Sequence, residues 1–150
     1  PTQQIPWDNC GAPCEDGSCG GQVAFAIREV YGSEIFPAPL TGVSWRKCGP
    51  KYRVARVVVS VTRCVPTMDQ NGRPPDCADE LLAAITLEND RTAVRQALAD
   101  CLCVTTTARP PLVSEWLIGA STTVGELGGC AGVETEFLVG VRVACACGGG

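Results

Sequence analysis

Polar and apolar residues alternate most clearly between Lys51 and Val65. Val57, Val59 and Val61 fall on one face there, and Arg56, Ser60 and Thr62 on the other. A period of two marks an extended strand. Val54 and Val58 add apolar groups to the second face, which predicts a strand partly covered on both sides. Arg53 and Arg63 share the first face near its ends. The same alternation predicts a strand over Gln22 to Tyr31, where Val23, Phe25 and Ile27 oppose Gln22, Ala24 and Ala26. Two more follow late in the chain. One runs roughly from Ser114 to Gly125 and contains Trp116, Ile118 and Val124. The other runs from Glu134 to Cys145, with Thr135, Phe137, Val139, Val141 and Val143 opposed to Glu134, Glu136 and Arg142. Gly128-Gly129-Cys130 predicts the turn between them.

A longer period governs the segment after Asp76. Leu81, Ala84, Ile85, Val94, Leu98 and Cys101 recur at helical spacing and predict an apolar stripe. Asp76 is a good N-cap, with Asp79 three residues on as a capping-box variant. Asp79 and Glu80 suit the positive end of the helix dipole, whereas Asp100 near the other end does not. The stripe weakens over Glu88 to Thr92, which predicts a bend or break. Pro37, Pro39 and Gly42 mark a loop running to Gly49-Pro50, and Pro66 to Asp76 a second one. The order strand, strand, helix, strand, strand predicts an α+β domain: a small, largely antiparallel four-stranded sheet with one long helix packed on it. Residues 1–21 are expected to form an extended, cysteine-rich and turn-rich arm, residues 22–147 a single domain, and residues 148–150 a flexible glycine tail.

With 150 residues, 45% apolar and 19% charged, the chain is long and apolar enough to bury a core. The net charge of −4 gives no attraction to nucleic acid or to an anionic membrane surface. No apolar run approaches the roughly 20 residues that span a bilayer. Pro1 to Asn9 lacks the charged and apolar regions of a signal peptide, so neither secretion nor membrane anchoring is expected.

Catalytic chemistry finds little to use. The chain has no histidine, and so lacks the usual base near neutral pH. Phosphate loops, the Gly-x-Ser-x-Gly elbow and dinucleotide fingerprints are missing. Glu88 and Asp90 are close in sequence but do not share a helix face. The expectation is a protein that is not an enzyme and carries no cofactor.

The 11 cysteines change the picture more. Cys10, Cys14 and Cys19 put three soft ligands within ten residues, and a zinc site would draw its fourth from Cys48 or a more distant thiol. The spacing lacks paired Cys-x2-Cys knuckles, so disulfides or free thiols are the expected state. Cys101 and Cys103, like Cys145 and Cys147, form Cys-x-Cys pairs at element ends, and Cys101 closes a helix where the dipole opposes a thiolate. If the helix packs back along the strand ending near Val65, Cys77 falls near Cys64, and Cys101 or Cys103 near Cys48. An odd total leaves at least one thiol without an internal partner. Trp7 and Trp45 lie in arm or loop segments, where a large ring suits an interface or folds back onto its own domain.

The order of short motifs resembles a known family. Cys19-Gly20-Gly21-Gln22 leads into a strand, and Phe36-Pro37 follows it. A Val-rich strand then ends at Arg63-Cys64-Val65-Pro66, followed by Asp69, Gly72-Arg73-Pro74-Pro75, an acidic helix start and Asp90. Trp116-Leu117-Ile118-Gly119 leads to Gly128-Gly129-Cys130-Ala131-Gly132. Over about residues 19 to 143 this is similar to neck proteins of long-tailed phages of actinobacteria, the tail terminators and head-to-tail connectors. The resemblance implies a structural virion protein, assembled in the host cytoplasm, that forms a hexameric ring. Such a ring caps the tail tube and joins it to the head-side connector, with DNA passing through its lumen. The implied partners are further copies of the chain, the major tail tube protein and the head-side connector or stopper. The stopper or adaptor level of the neck is the alternative within that class. A zinc-binding or disulfide-stapled interaction module is the alternative outside it, and a redox protein the enzymatic one.

A ring closes through head-to-tail contacts between two different surfaces of each subunit. The strand at Gln22 to Tyr31, the arm and the Pro66 to Asp76 loop are the candidate surfaces, with Trp7 as an anchor. Glu134 and Glu136 against Arg53 or Arg63 are candidates for setting register between subunits.

Overall fold

The computed structural model describes residues 21–42, 49–68, 71–108, 112–127 and 129–143. They form four strands and a helix: β1 (Gln22–Ser33), β2 (Tyr52–Cys64), α1 (Cys77–Thr107), β3 (Glu115–Leu127) and β4 (Cys130–Arg142). The strands make one antiparallel sheet in the order β1-β2-β4-β3, giving the small α+β fold that the alternation predicts. β2 and β4 are therefore central, and β1 and β3 are edges. The Val65 N–H donates to the Gly129 carbonyl at 2.9 Å, and the Val143 N–H to the Lys51 carbonyl at 3.0 Å. The two bonds share one register, so β2 and β4 pair without a slip. Gly129, at a φ of 79°, makes the turn into β4, a backbone state that side chains with a Cβ adopt at a cost.

By packing the chain divides into two compact units. The first holds the described residues of Pro1–Ala26, Val59–Arg95 and Ser121–Thr135; the second holds those of Ile27–Val58, Gln96–Ala120 and Glu136–Gly150. The strands and the helix run through both.

In the first unit, Val59, Val61, Val133 and Thr135 are buried, and the helix meets the sheet through polar groups. Arg63 of β2 donates from Nε and Nη2 to the Asp90 carboxylate, the second bond at 2.8 Å. Arg91 donates to Thr123 Oγ1 at 2.8 Å and Arg95 to Ser121 Oγ at 3.3 Å. Ser121 Oγ in turn lies 2.9 Å from Thr135 Oγ1. This seam explains two departures from the sequence reading. First, α1 does not break over Glu88 to Thr92. The polar residues that interrupt the apolar stripe are the ones that hold the sheet, and Arg91 also pairs with Glu88 at 3.0 Å. Second, the sheet-facing side of the first helical turns is Ala83, Thr86, Leu87 and Asp90, all half-buried, while Leu81, Ala84 and Ile85 are exposed.

In the second unit, Val94's successor Leu98 is half-buried as expected, but Leu102 rather than Cys101 is the buried residue of the last turns. The helix continues through Thr105-Thr106-Thr107, where each hydroxyl bonds a carbonyl three or four residues back. Tyr52, Val54 and Leu138 form the core here, with Tyr31 and Phe36 packed against them. Tyr52 donates to Glu115 at 2.7 Å, and Tyr31 to the Pro37 carbonyl at 2.7 Å. Of the arm expected at 1–21, residues 1–20 lie outside the described residues, as does the tail at 148–150.

Candidate functional site

An edge strand presents unpaired N–H and C=O groups along its outer side, and soluble proteins blunt such edges with charge, proline or cover. β1 does the opposite. Val23, Phe25 and Ile27 alternate along it and are 58%, 68% and 65% exposed. Val30 and Ile35 continue the apolar exposure at and beyond its far half. Among the described residues no strand pairs with the outer side of β1, and a row of large side chains on such an edge is a ready template for strand addition. α1 carries a second set of exposed apolar residues, Leu81 and Ile85, together with Leu82, which borders the cleft beside Cys64 of β2. Single exposed apolar residues are ordinary, whereas contiguous rows mark interaction sites.

The charged interface candidates fare differently from one another. Arg53 is exposed. Arg63 is engaged within its own chain by Asp90, and that hydrogen bond raises the guanidinium pKa against a smaller lowering by burial. Glu134 accepts from Ser60 Oγ at 3.0 Å. Glu136 lies 3.6 Å from Arg56, which also approaches Glu29 at 3.9 Å. Glu134 and Glu136 thus meet β2 of the same chain, on the face of Arg56 and Ser60, which alternation sets opposite to Arg53 and Arg63. Trp7 and Trp45 lie outside the described residues.

The Arg63–Asp90 pair invites a direct test. Its carboxylate is 14% exposed and its guanidinium 37%, so the two charge-assisted bonds are weakened by water at one end. Asp90→Asn is expected to lower stability by about 1 kcal/mol, with the loss shrinking in high salt. Urea unfolding at low and high ionic strength measures both; a salt-independent loss would mean that the pair acts through packing.

The cysteine expectations need correction. Cys64, Cys77, Cys101 and Cys103 are free thiols, so the Cys64–Cys77 bridge is not formed. Cys64 lines a cleft of about 270 Å³ together with Asp79, Leu82, Ala83, Thr86 and Leu87 of the helix. Cys77 stands two residues before Asp79, about 200° around the helix from that side, and is exposed. Cys101 and Cys103 are exposed and free as well, so neither is bridged to Cys48, which lies outside the described residues. Cys130, read as part of a turn, is instead disulfide-bonded and 1% exposed at the first position of β4. Nothing in the spacing singled it out. Among the described residues no three histidine, cysteine or carboxylate groups cluster to hold a metal; Cys10, Cys14 and Cys19 lie outside them. The cleft beside Cys64 offers Arg63 and Asp79 as its charged groups, and Arg63 is already answered by Asp90.

No protein family model matches the sequence, and no curated protein or solved structure matches it. Among the described residues no helix is long and apolar enough to cross a membrane.

Proposed function

We propose that the chain is a structural subunit that assembles with copies of itself, and that the assembly is a hexameric ring of a phage neck at the tail-terminator level. The observation that carries self-assembly is the exposed row Val23, Phe25 and Ile27 on an edge strand. The outer turns of α1 supply the second, different surface that head-to-tail closure requires. The assignment to a phage neck rests on the motif resemblance over residues 19–143, and the stopper or adaptor level is its nearest alternative. In this reading the chain has no catalytic residues, and the tail tube and head-side connector are its partners above and below.

Native mass spectrometry of the purified, non-reduced protein tests the reading, because it reports stoichiometry, metal and disulfides together. A metal-free hexamer, or a ladder leading to one, is the expected result. A zinc-loaded monomer would sink it and favour a binding module. A metal-free monomer would count against self-assembly of the isolated chain.

A further inference from the structure

We infer that Phe25 of one copy fills the cleft beside Cys64 of a second copy, so that the β1 row is anchored between β2 and α1 of a neighbour. This rests on the self-assembly reading above and names the contact that carries it. Phe25 and the cleft both belong to the first compact unit.

The cleft suits an apolar side chain. Val65 and Pro66 wall it on one side, and Leu82, Ala83 and Leu87 of α1 on the other. Its charged groups are Arg63 and Asp79, and Arg63 is held by Asp90. Its volume of about 270 Å³ falls below the roughly 300–1,000 Å³ of pockets for drug-sized ligands. An apolar cavity of about 150 Å³ takes up benzene, so a phenyl ring fits with room for its methylene. The cleft also ends an exposed apolar arc. At about 100° per residue, Ile85 lies roughly 40° around α1 from Leu81, and Leu82 roughly 60° further on. All three are exposed, and Leu82 forms the rim.

Phe25 is the matching group. Among the described residues it is the one aromatic in the set of exposed large apolar side chains, and aromatic rings seated in pockets are the usual anchors of interfaces. Being 68% exposed, it does not occupy the cleft of its own chain.

Area and charge both make the occupant a second copy. The row Val23, Phe25 and Ile27 and the arc Leu81, Ile85 and Leu82 each leave on the order of 300 Å² of apolar surface in water, the scale of an interaction patch. Matched face to face, they supply the apolar centre of a standard interface of about 800 Å² per partner. Asp76, Asp79 and Glu80 are exposed around the start of α1. β1 brings its cation, Arg28, about 10 Å beyond Phe25. Its acid, Glu29, is drawn to Arg56 at 3.9 Å.

Cysteine cross-linking tests the contact, with Cys64 as a reporter already in place. That thiol is free and lines the cleft, and Phe25→Cys puts a second thiol where the ring would sit. The full-length variant is treated with oxidised glutathione, which accepts the two electrons and two protons of each new disulfide and leaves as two thiols. A reducible ladder of linked chains up to the hexamer, over and above anything the parent gives, is expected on a non-reducing gel. It is lost in Phe25→Cys/Cys64→Ser and kept in Phe25→Cys/Cys77→Ser. A ladder that stops at two chains would support the contact but make it reciprocal, against a ring. A link from position 25 to Cys64 within one chain would overturn the inference.

Alkylation supplies a second measurement that keeps Phe25 in place. Phe25→Ala weakens each contact by about tenfold or more, so Cys64 is expected to react with N-ethylmaleimide faster in that variant than in the assembled parent. Sedimentation of the parent separates the two claims. An assembling parent with equal Cys64 rates and no Cys64-dependent ladder would overturn this contact alone. A parent that stays monomeric and gives no such ladder would overturn self-assembly with it.

Discussion

Replacing Phe25 and Ile27 together by lysine is expected to leave the fold intact and to reduce the proposed ring to monomers. Both side chains are about two-thirds exposed in the single chain, so the folded monomer loses little when they change. In an assembly they would be buried, and burying a side chain of this size contributes about 1.5–3 kcal/mol. Part of each is covered already, so the pair is worth on the order of 3 kcal/mol per subunit contact, which is roughly a hundredfold in each contact's affinity. A closed ring repeats that loss at every interface. Lysine on an edge strand also discourages strand addition directly. Sedimentation velocity reads the assembly state and far-ultraviolet circular dichroism the fold. A double variant that still forms hexamers would place the interface elsewhere, and the outer turns of α1 would be the next surface to alter.

The largest effect on the fold itself is expected from Gly132→Ala. The added Cβ would stand 2.6 Å from the Val61 carbonyl oxygen, 3.2 Å from Thr62 Cγ2 and 3.5 Å from Thr62 Cα. The closest of these is backbone of a central strand, which cannot swing aside as the end of a long side chain can. Relief requires β2 and β4 to part where they are paired, and overpacking of this kind costs about 1–3 kcal/mol. In a domain of this size that is a fall of roughly 4–10 °C in Tm. Gly125→Ala is the matched control, because a Cβ there meets nothing within 4 Å, and it is expected to be neutral or slightly stabilising. Thermal unfolding of the two variants beside the parent protein decides the matter. Equal stability in all three would show that the β2–β4 pairing yields more easily than its geometry implies.

The strands were legible because their signal is local. Each alternates over enough residues to stand out, and the sheet then follows from four such segments around one helix. The start of β4 was hidden because Gly128-Gly129-Cys130 reads as a turn, although the positive φ falls at Gly129 and Cys130 is already in the strand. The orientation of α1 was misread for a different reason. An apolar stripe locates the buried side of a helix only when burial is what fixes it, and here Asp90, Arg91 and Arg95 hydrogen-bond to the sheet. Leu81 and Ile85, the residues most expected to be inside, are left in water. The β1 row was visible as a strand face, but that it lies on an edge follows from the strand order, which no local pattern encodes. Cys130 was illegible because disulfide pairing depends on which distant segments meet.

The polar seam between α1 and the sheet also bears on how stability varies with temperature. Exposing apolar surface on unfolding raises the heat capacity, and exposing polar surface lowers it. In this protein Ser33, Ser60, Thr62 and Thr135 are buried beside the valines, and the helix is fastened by guanidinium, carboxylate and hydroxyl groups. The heat-capacity change on unfolding is therefore expected to be smaller than a leucine-rich interior of equal length would give, and the stability curve correspondingly broader and shallower.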